Sequence, residues 1–198
     1  MNPITHFLAS WSAADVLRLR GRDQALATWC GVLPDVDGLG LLVDGANRVL
    51  GRPASWFYGE YHHTVLHGAF AAVAIPLALS TLAANRLRVF VVGVLAVHLH
   101  YFCDLIGSRG PGVDDIWPIH YLAPFSQRWT IHWAGQWPLD AWPNVVFSVL
   151  LMSFAFLRAV GSGYSPVGVV SSSADRIFVD TVRHRWHRFR RTLSSREA

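Results

Sequence analysis

The sequence predicts an all-α protein, a helical membrane-associated bundle with about three apolar, bilayer-length helices and a basic amphipathic helix at the C-terminus. Three observations carry this. The 198 residues are 52% hydrophobic and only 15% charged, oilier than most soluble domains. The apolar residues gather into runs at 63–84, 87–106 and 145–160, the last a little short for a span. Aromatic residues make up 13% of the chain, with nine tryptophans, as suits a protein that meets a lipid interface. A soluble bundle burying the same segments is the rival reading; release from membranes by high salt or carbonate would favour it.

Taken in order, Thr5 is placed to cap a short first helix, and Ser12 with Asp15 reads as a fresh start for 13–20, ended by Gly21. Asp23 opens a second run, 24–33, which Pro34 and the glycines of Pro34-Asp35-Val36-Asp37-Gly38 terminate, leaving two carboxylates on a turn. Residues 44–60 mix Gly, Pro and Asn and read as a connecting loop with room for one helical turn. The run 63–84 contains Pro76, which should kink it. Residues 107–142 form a long irregular segment with five of the nine tryptophans, and loops of that length tend to be functional. Residues 1–160 thus form a helical domain, and 161–198 a Gly/Ser-rich link followed by a tail helix.

In the tail, Phe178, Val182, Trp186, Phe189 and Leu193 recur at steps of three or four, with arginines on the other face. That pattern suits a helix lying on an anionic membrane, and the apolar stripe favours lipid over nucleic acid as its partner. Residues 171–198 carry seven arginines against Asp175, Asp180 and Glu197, an excess of +4 that equals the excess of the whole chain. With Arg86, Arg88 and the tail on the cytoplasmic side, the histidines at 62–67 and the segment 107–142 fall together on the other side. Cys30 and Cys103 form no CxxC pair, so neither a disulfide framework nor a thiolate zinc site is supported. No basic stretch precedes an apolar one at the N-terminus, so a cleaved signal peptide is not expected.

Three clusters carry the chemistry. His100 and Asp104, four apart at the end of the most apolar run, project from one helical face, where burial is costly unless a partner or a metal compensates. A buried His–Asp hydrogen bond is the plainer alternative. His98 points elsewhere. Asp35 and Asp37 share the turn, and His62, His63 and His67 precede the next apolar run. His63 and His67 would share a helical face, whereas His62 and His67 would do so only with a later helix start, so all three stay candidates. Imidazole and carboxylate together suit zinc, manganese or iron, as one or two ions, better than magnesium or calcium.

With Thr5-His6, Pro34-Asp35-Val36-Asp37-Gly38, His62 to His67, His100 to Asp104, Trp117-Pro118 and Pro124-Phe125-Ser126 in that order, the chain resembles the YdjM-type family of membrane-associated metal-dependent hydrolases over roughly residues 1–130. The resemblance implies metal ligation by His6, Asp35, Asp37, His62, His67, His100 and Asp104. The middle motif departs from the family pattern His-Arg-Gly-x-Thr-His-Ser: His63 stands at the Arg position and Leu66 at the Thr position. A more distant similarity is to zinc-dependent phospholipase C, also helical with a metal cluster. The expected activity is hydrolysis of a phosphoester or other ester, of a small molecule or a lipid, by metal-activated water. Asp37, Asp104 and His67 form the catalytic set, and either carboxylate would bridge two ions. Arg109 and Arg128 are the candidates for holding a substrate phosphate, or else headgroup anchors. The rival from another class is a non-enzymatic membrane protein whose cluster binds metal structurally or relays ions.

Overall fold

The computed structural model describes residues 1–53, 55–58, 62 and 66–194, with side chains through residue 192. Among them are seven α-helices: α1 (Pro3–Val16), α2 (Gly21–Cys30), α3 (Gly40–Val49), α4 (Ala69–Ser80), α5 (Arg86–Gly107), α6 (Trp142–Ser162) and α7 (Ser172–Ser194). A 3-10 turn (Leu33–Leu39) joins α2 to α3 and another (Pro166–Val169) precedes α7. The only strands described are Ile119–His120 and Thr130–Ile131, an antiparallel pair in the loop between α5 and α6.

Helix α5 is the axis of the bundle, with α1, α2 and α4 packed around it, while α6 lies on α1 and α7 on α6. Small side chains make the close approach: Ala14, Ala27, Ala71, Ala72, Ala96 and Ala159 are all buried. Backbones that pack this tightly gain dispersion contacts where lipid leaves no hydrophobic driving force between helices. Gly31 is needed at the crossing of α2 with α1 and α5, since a Cβ there would lie 1.9 Å from Ser10 Oγ and 3.0 Å from Ala96 O. Helices α5 and α6, of 22 and 21 residues, are long and apolar enough to cross a membrane. They differ in company: half of the apolar window of α5 is buried within the protein, against 11% for α6. By length and composition, α2 and residues 33–49, bent by 48°, pass together as a broken span or a re-entrant pair.

Several expectations change. Residues 3–16 form one helix instead of two, capped by Asn2, whose side chain accepts the Thr5 N–H at 2.9 Å; Ser12 therefore starts nothing. Gly21 opens α2 instead of only ending its predecessor. Helix α3 runs on through 44–49, more than the single helical turn expected in that loop, because apolar and polar side chains separate onto two faces there. The run 63–84 shrinks to the 12-residue α4, too short to span alone. Its start is set by Gly68 in extended conformation, pressed against the backbone of 120–123; an added Cβ would meet Ala123 O at 2.7 Å. The Ala69 N–H donates to Tyr121 O at 2.7 Å, so the long loop itself closes that helix end.

The two ends of the bundle have different chemistry. At one, Asp15 of α1 meets Arg20, Arg158 and Tyr164, Arg88 donates to Leu17 O, and Arg183 of α7 donates to Val160 O at the end of α6. At the other lie the histidines and aspartates.

Candidate metal centre

Helices α1 and α5, the 3-10 turn and the segment before α4 deliver their polar side chains to one buried point. His6 comes from the first turns of α1, where Pro3 at the helix start and the Asn2 cap fix the entry. His100 and Asp104, one turn apart on α5, face the same way, with His100 Nε2 3.0 Å from Asp104 Oδ2. His6 stacks on His100 at 3.8 Å between ring centroids and brings its Nε2 to 3.1 Å from Asp104 Oδ1. Asp35 Oδ1 lies 3.7 Å from His100 Nε2. One ligand atom from each of His6, Asp35, His100 and Asp104 falls within 4.8 Å of all the others.

His67 and Asp37 extend the cluster toward solvent. His67 Nε2 is 3.0 Å from His100 Nε2 and 3.6 Å from Asp104 Oδ2, and its Nδ1 is 3.1 Å from Asp37 Oδ2. The other Asp37 oxygen is 2.7 Å from His62 Nδ1. His67 reaches the centre because the hydroxyl of Tyr101, on α5, sits 2.8 Å from Leu66 O and 3.0 Å from Gly68 O, gripping the backbone on both sides of it. His67 lies outside α4, which begins at Ala69, so its placement owes nothing to that helix. His63 lies outside the described residues. His98 is turned away, with its ring nitrogens at Val94 O and the Tyr121 hydroxyl.

The tautomers give the arrangement its chemical character. His100 Nδ1 is 2.9 Å from Gly31 O, an acceptor only, so it carries the proton and Nε2 turns a lone pair inward. That lone pair faces Asp104 Oδ2, Asp35 and His67 Nε2, a set of acceptors that repel one another unless a cation or proton lies between them. Asp104 Oδ2 and Asp35 Oδ2 are buried and have no hydrogen-bond partner. Metal–ligand bonds of about 2.0–2.2 Å separate neighbouring ligand atoms by about 3.0–3.5 Å, close to the spacings here. The donor set and its orphaned oxygens therefore fit a divalent transition metal. The Met1 ammonium group also contacts Asp104 Oδ1.

Burial opposes charging of the His67 ring, yet Asp104 and Asp37 outweigh it and push the imidazole up to about 9. Above the centre, Tyr58 stacks on His62 at 4.5 Å, and Trp117 meets both at 5.9 and 5.5 Å. Burial, then the charges of Asp35, Asp104 and Asp37, push the Tyr58 phenol up to about 12. Asp35 and His62, partly exposed, form the mouth.

The two arginines are not in the cluster. Arg109 spends its guanidinium on Gly112 O and Val113 O beside a cavity of about 510 Å³ that Trp117 also lines. Arg128 is exposed in the segment that links the two strands. Sequence reasoning missed Gly31, Tyr58, Tyr101 and Gln136; the last donates to Asp104 O at 2.8 Å and accepts the Trp117 N–H at 3.0 Å, tying the long loop to the site helix. Only Tyr101 had a local signal, its place between His100 and Asp104.

Residues 1–175 match the family described as YdjM inner membrane protein. No curated protein and no solved structure gives a significant match.

Proposed function

The chain belongs to the YdjM inner membrane protein family, and from that premise we propose that it is a membrane-bound, metal-dependent hydrolase acting on a phosphoester or other ester, with a lipid as the natural substrate. One observation supports this above the rest: the inward lone pair of His100 Nε2 facing the orphaned Asp104 Oδ2 at 3.0 Å. His6, Asp35, His67, His100 and Asp104 would hold the ion. When bound, a divalent transition metal such as zinc acidifies water and stabilises a developing oxyanion.

The protein's own groups do the rest. Gly31 O fixes the His100 tautomer, and Asp37 orients His67 through Nδ1, which keeps the imidazoles aimed inward. Asp37 also links the buried His67 to His62 at the mouth, a path by which a proton taken up inside can leave. Tyr58 keeps its hydroxyl proton at neutral pH and is a donor for a leaving oxygen. With the arginine-rich end cytoplasmic, the site opens on the opposite face of the membrane.

The test uses protein freshly purified without chelator. Elemental analysis is expected to find one or two transition-metal ions per chain, and a generic phosphodiester is expected to be hydrolysed by the wild type and by His98→Ala but not by His100→Ala. Metal without hydrolysis would leave the structural or ion-relay reading. Absence of metal would remove the hydrolase and structural-metal readings and leave ion relay.

A further inference from the structure

A second cavity, of about 580 Å³, lies on the far side of Tyr58, walled by Leu41, Asp44, Arg48, Arg52, Trp56 and Tyr58 itself. We propose that it is a binding site for the phosphate of an anionic membrane phospholipid, held by the guanidinium groups of Arg48 and Arg52 next to the metal centre. This names the substrate class of the hydrolase reading and rests on that reading to that extent.

Four features carry it. Helix α3 buries none of its residues, yet one face is apolar, with Leu42, Val43 and Val49 exposed, and the other holds Asp44, Asn47 and Arg48. A helix of that pattern in a membrane protein lies in the headgroup plane with its apolar side in lipid, which brings its polar side level with lipid phosphates. Trp56, 77% exposed at the cavity edge, is a residue typical of that depth.

The charge is the second feature. Among the described residues neither Arg48 nor Arg52 makes an ion pair. Asp44, the carboxylate in the same cavity, is committed elsewhere: it accepts the N–H groups of Phe57 and Tyr58 at 3.0 and 2.9 Å and the Ser55 hydroxyl at 2.7 Å. Two planar donors with one positive charge in excess are what a phosphate anion requires, and the fork geometry of arginine matches its oxygens.

Third, the lining has room for the rest of a headgroup, with Leu41 and Trp56 offering apolar surface to the glycerol region. Fourth, the wall is shared. Tyr58 lines this cavity and stacks on His62, which is bonded to Asp37 and through it to His67, so a lipid seated here is linked to the metal centre through Tyr58, His62 and Asp37.

The experiment titrates the full chain in dodecyl maltoside micelles with dioleoyl phosphatidylglycerol or dioleoyl phosphatidylcholine, reading bound lipid by native mass spectrometry and metal content on the same samples. Phosphatidylglycerol is expected to bind about tenfold or more tightly than phosphatidylcholine. R48Q/R52Q should abolish that preference with metal content unchanged, and R48K/R52K should keep part of it. Equal binding of the two lipids by the wild type overturns the proposal, whether or not R48Q/R52Q folds, and so does a preference that survives R48Q/R52Q. Displacement of the lipid by equimolar inorganic phosphate, or by a second copy of the chain as protein concentration rises, also overturns it. A metal-free wild type that still prefers phosphatidylglycerol would remove the hydrolase reading and leave the lipid site standing.

Discussion

Two aspartates, Asp15 and Asp104, are each only 3% exposed and sit at opposite ends of the same bundle. Asp15 is closed off by charge: Arg158 Nε at 2.8 Å, Arg20 Nη1 at 3.0 Å and the Tyr164 hydroxyl take up its oxygens. Asp104 touches the Met1 ammonium group with one oxygen and faces three imidazoles, at least one of them presenting a lone pair, and its other oxygen has no hydrogen-bond partner. Equal burial thus has opposite meanings. A carboxylate whose oxygens are both taken up by arginine and tyrosine is structural, whereas one that keeps an unpartnered oxygen beside an imidazole lone pair has room for a cation from outside.

The sharpest way to break the comparison is to neutralise each carboxylate in turn. Asp104→Asn should lower bound metal at least tenfold, read by elemental analysis, and Asp15→Asn should leave it unchanged while costing about 2–4 kcal/mol of stability, since two arginines lose their partner. Metal loss in both variants would mean that the ends are not independent.

Next in size is the effect of the ion on stability. Removing metal from the wild type with a chelator should lower its unfolding midpoint in detergent, by about 2.7 kcal/mol equivalent at a free-ion concentration a hundred times Kd. The same treatment of Asp104→Asn should do nothing.

The pH dependence sharpens the distinction further. In the metal-free protein His67 is raised from 6.5 to about 9, so the stability its proton contributes is complete below pH 6.5 and is lost as pH rises through about 9. Chelator-treated protein should therefore lose stability over that window. Zinc must displace that proton, so zinc affinity, measured by competition with a chromophoric chelator, should rise by about tenfold per pH unit up to about 9.

The smallest effect belongs to the exposed partner at the arginine end. Arg20 is 47% exposed, and Arg20→Gln should shift stability by less than about 1 kcal/mol, well below the effect of Arg158→Gln, whose guanidinium is 29% exposed.

The contrast between these ends was only half legible in the sequence. His100 and Asp104 could be paired because a helix converts a spacing of four into a shared face, and α5 is a helix throughout. His67 obeyed no such rule, because it lies ahead of α4 and is placed by Tyr101 and Gly68, both set by contacts far along the chain. The second helical start at Ser12 failed for a related reason: a capping pattern inside an apolar run is overridden when the run packs as one helix against α5 and α6.

By itself the sequence determined what is periodic or compositional: a helical, apolar chain, a basic amphipathic tail, and which residue types are available as ligands. These follow from local rules of 3.6 residues per turn and from the cost of placing polar groups in oily runs. Only the tertiary structure decided which candidates meet. His6 and His100 are far apart in sequence and stack at 3.8 Å, and the inward lone pair of His100 depends on Gly31 O, a backbone atom that no side-chain pattern reveals. The same packing set Arg48 and Arg52 beside Tyr58, since α3 is placed by the turn that carries Asp35 and Asp37.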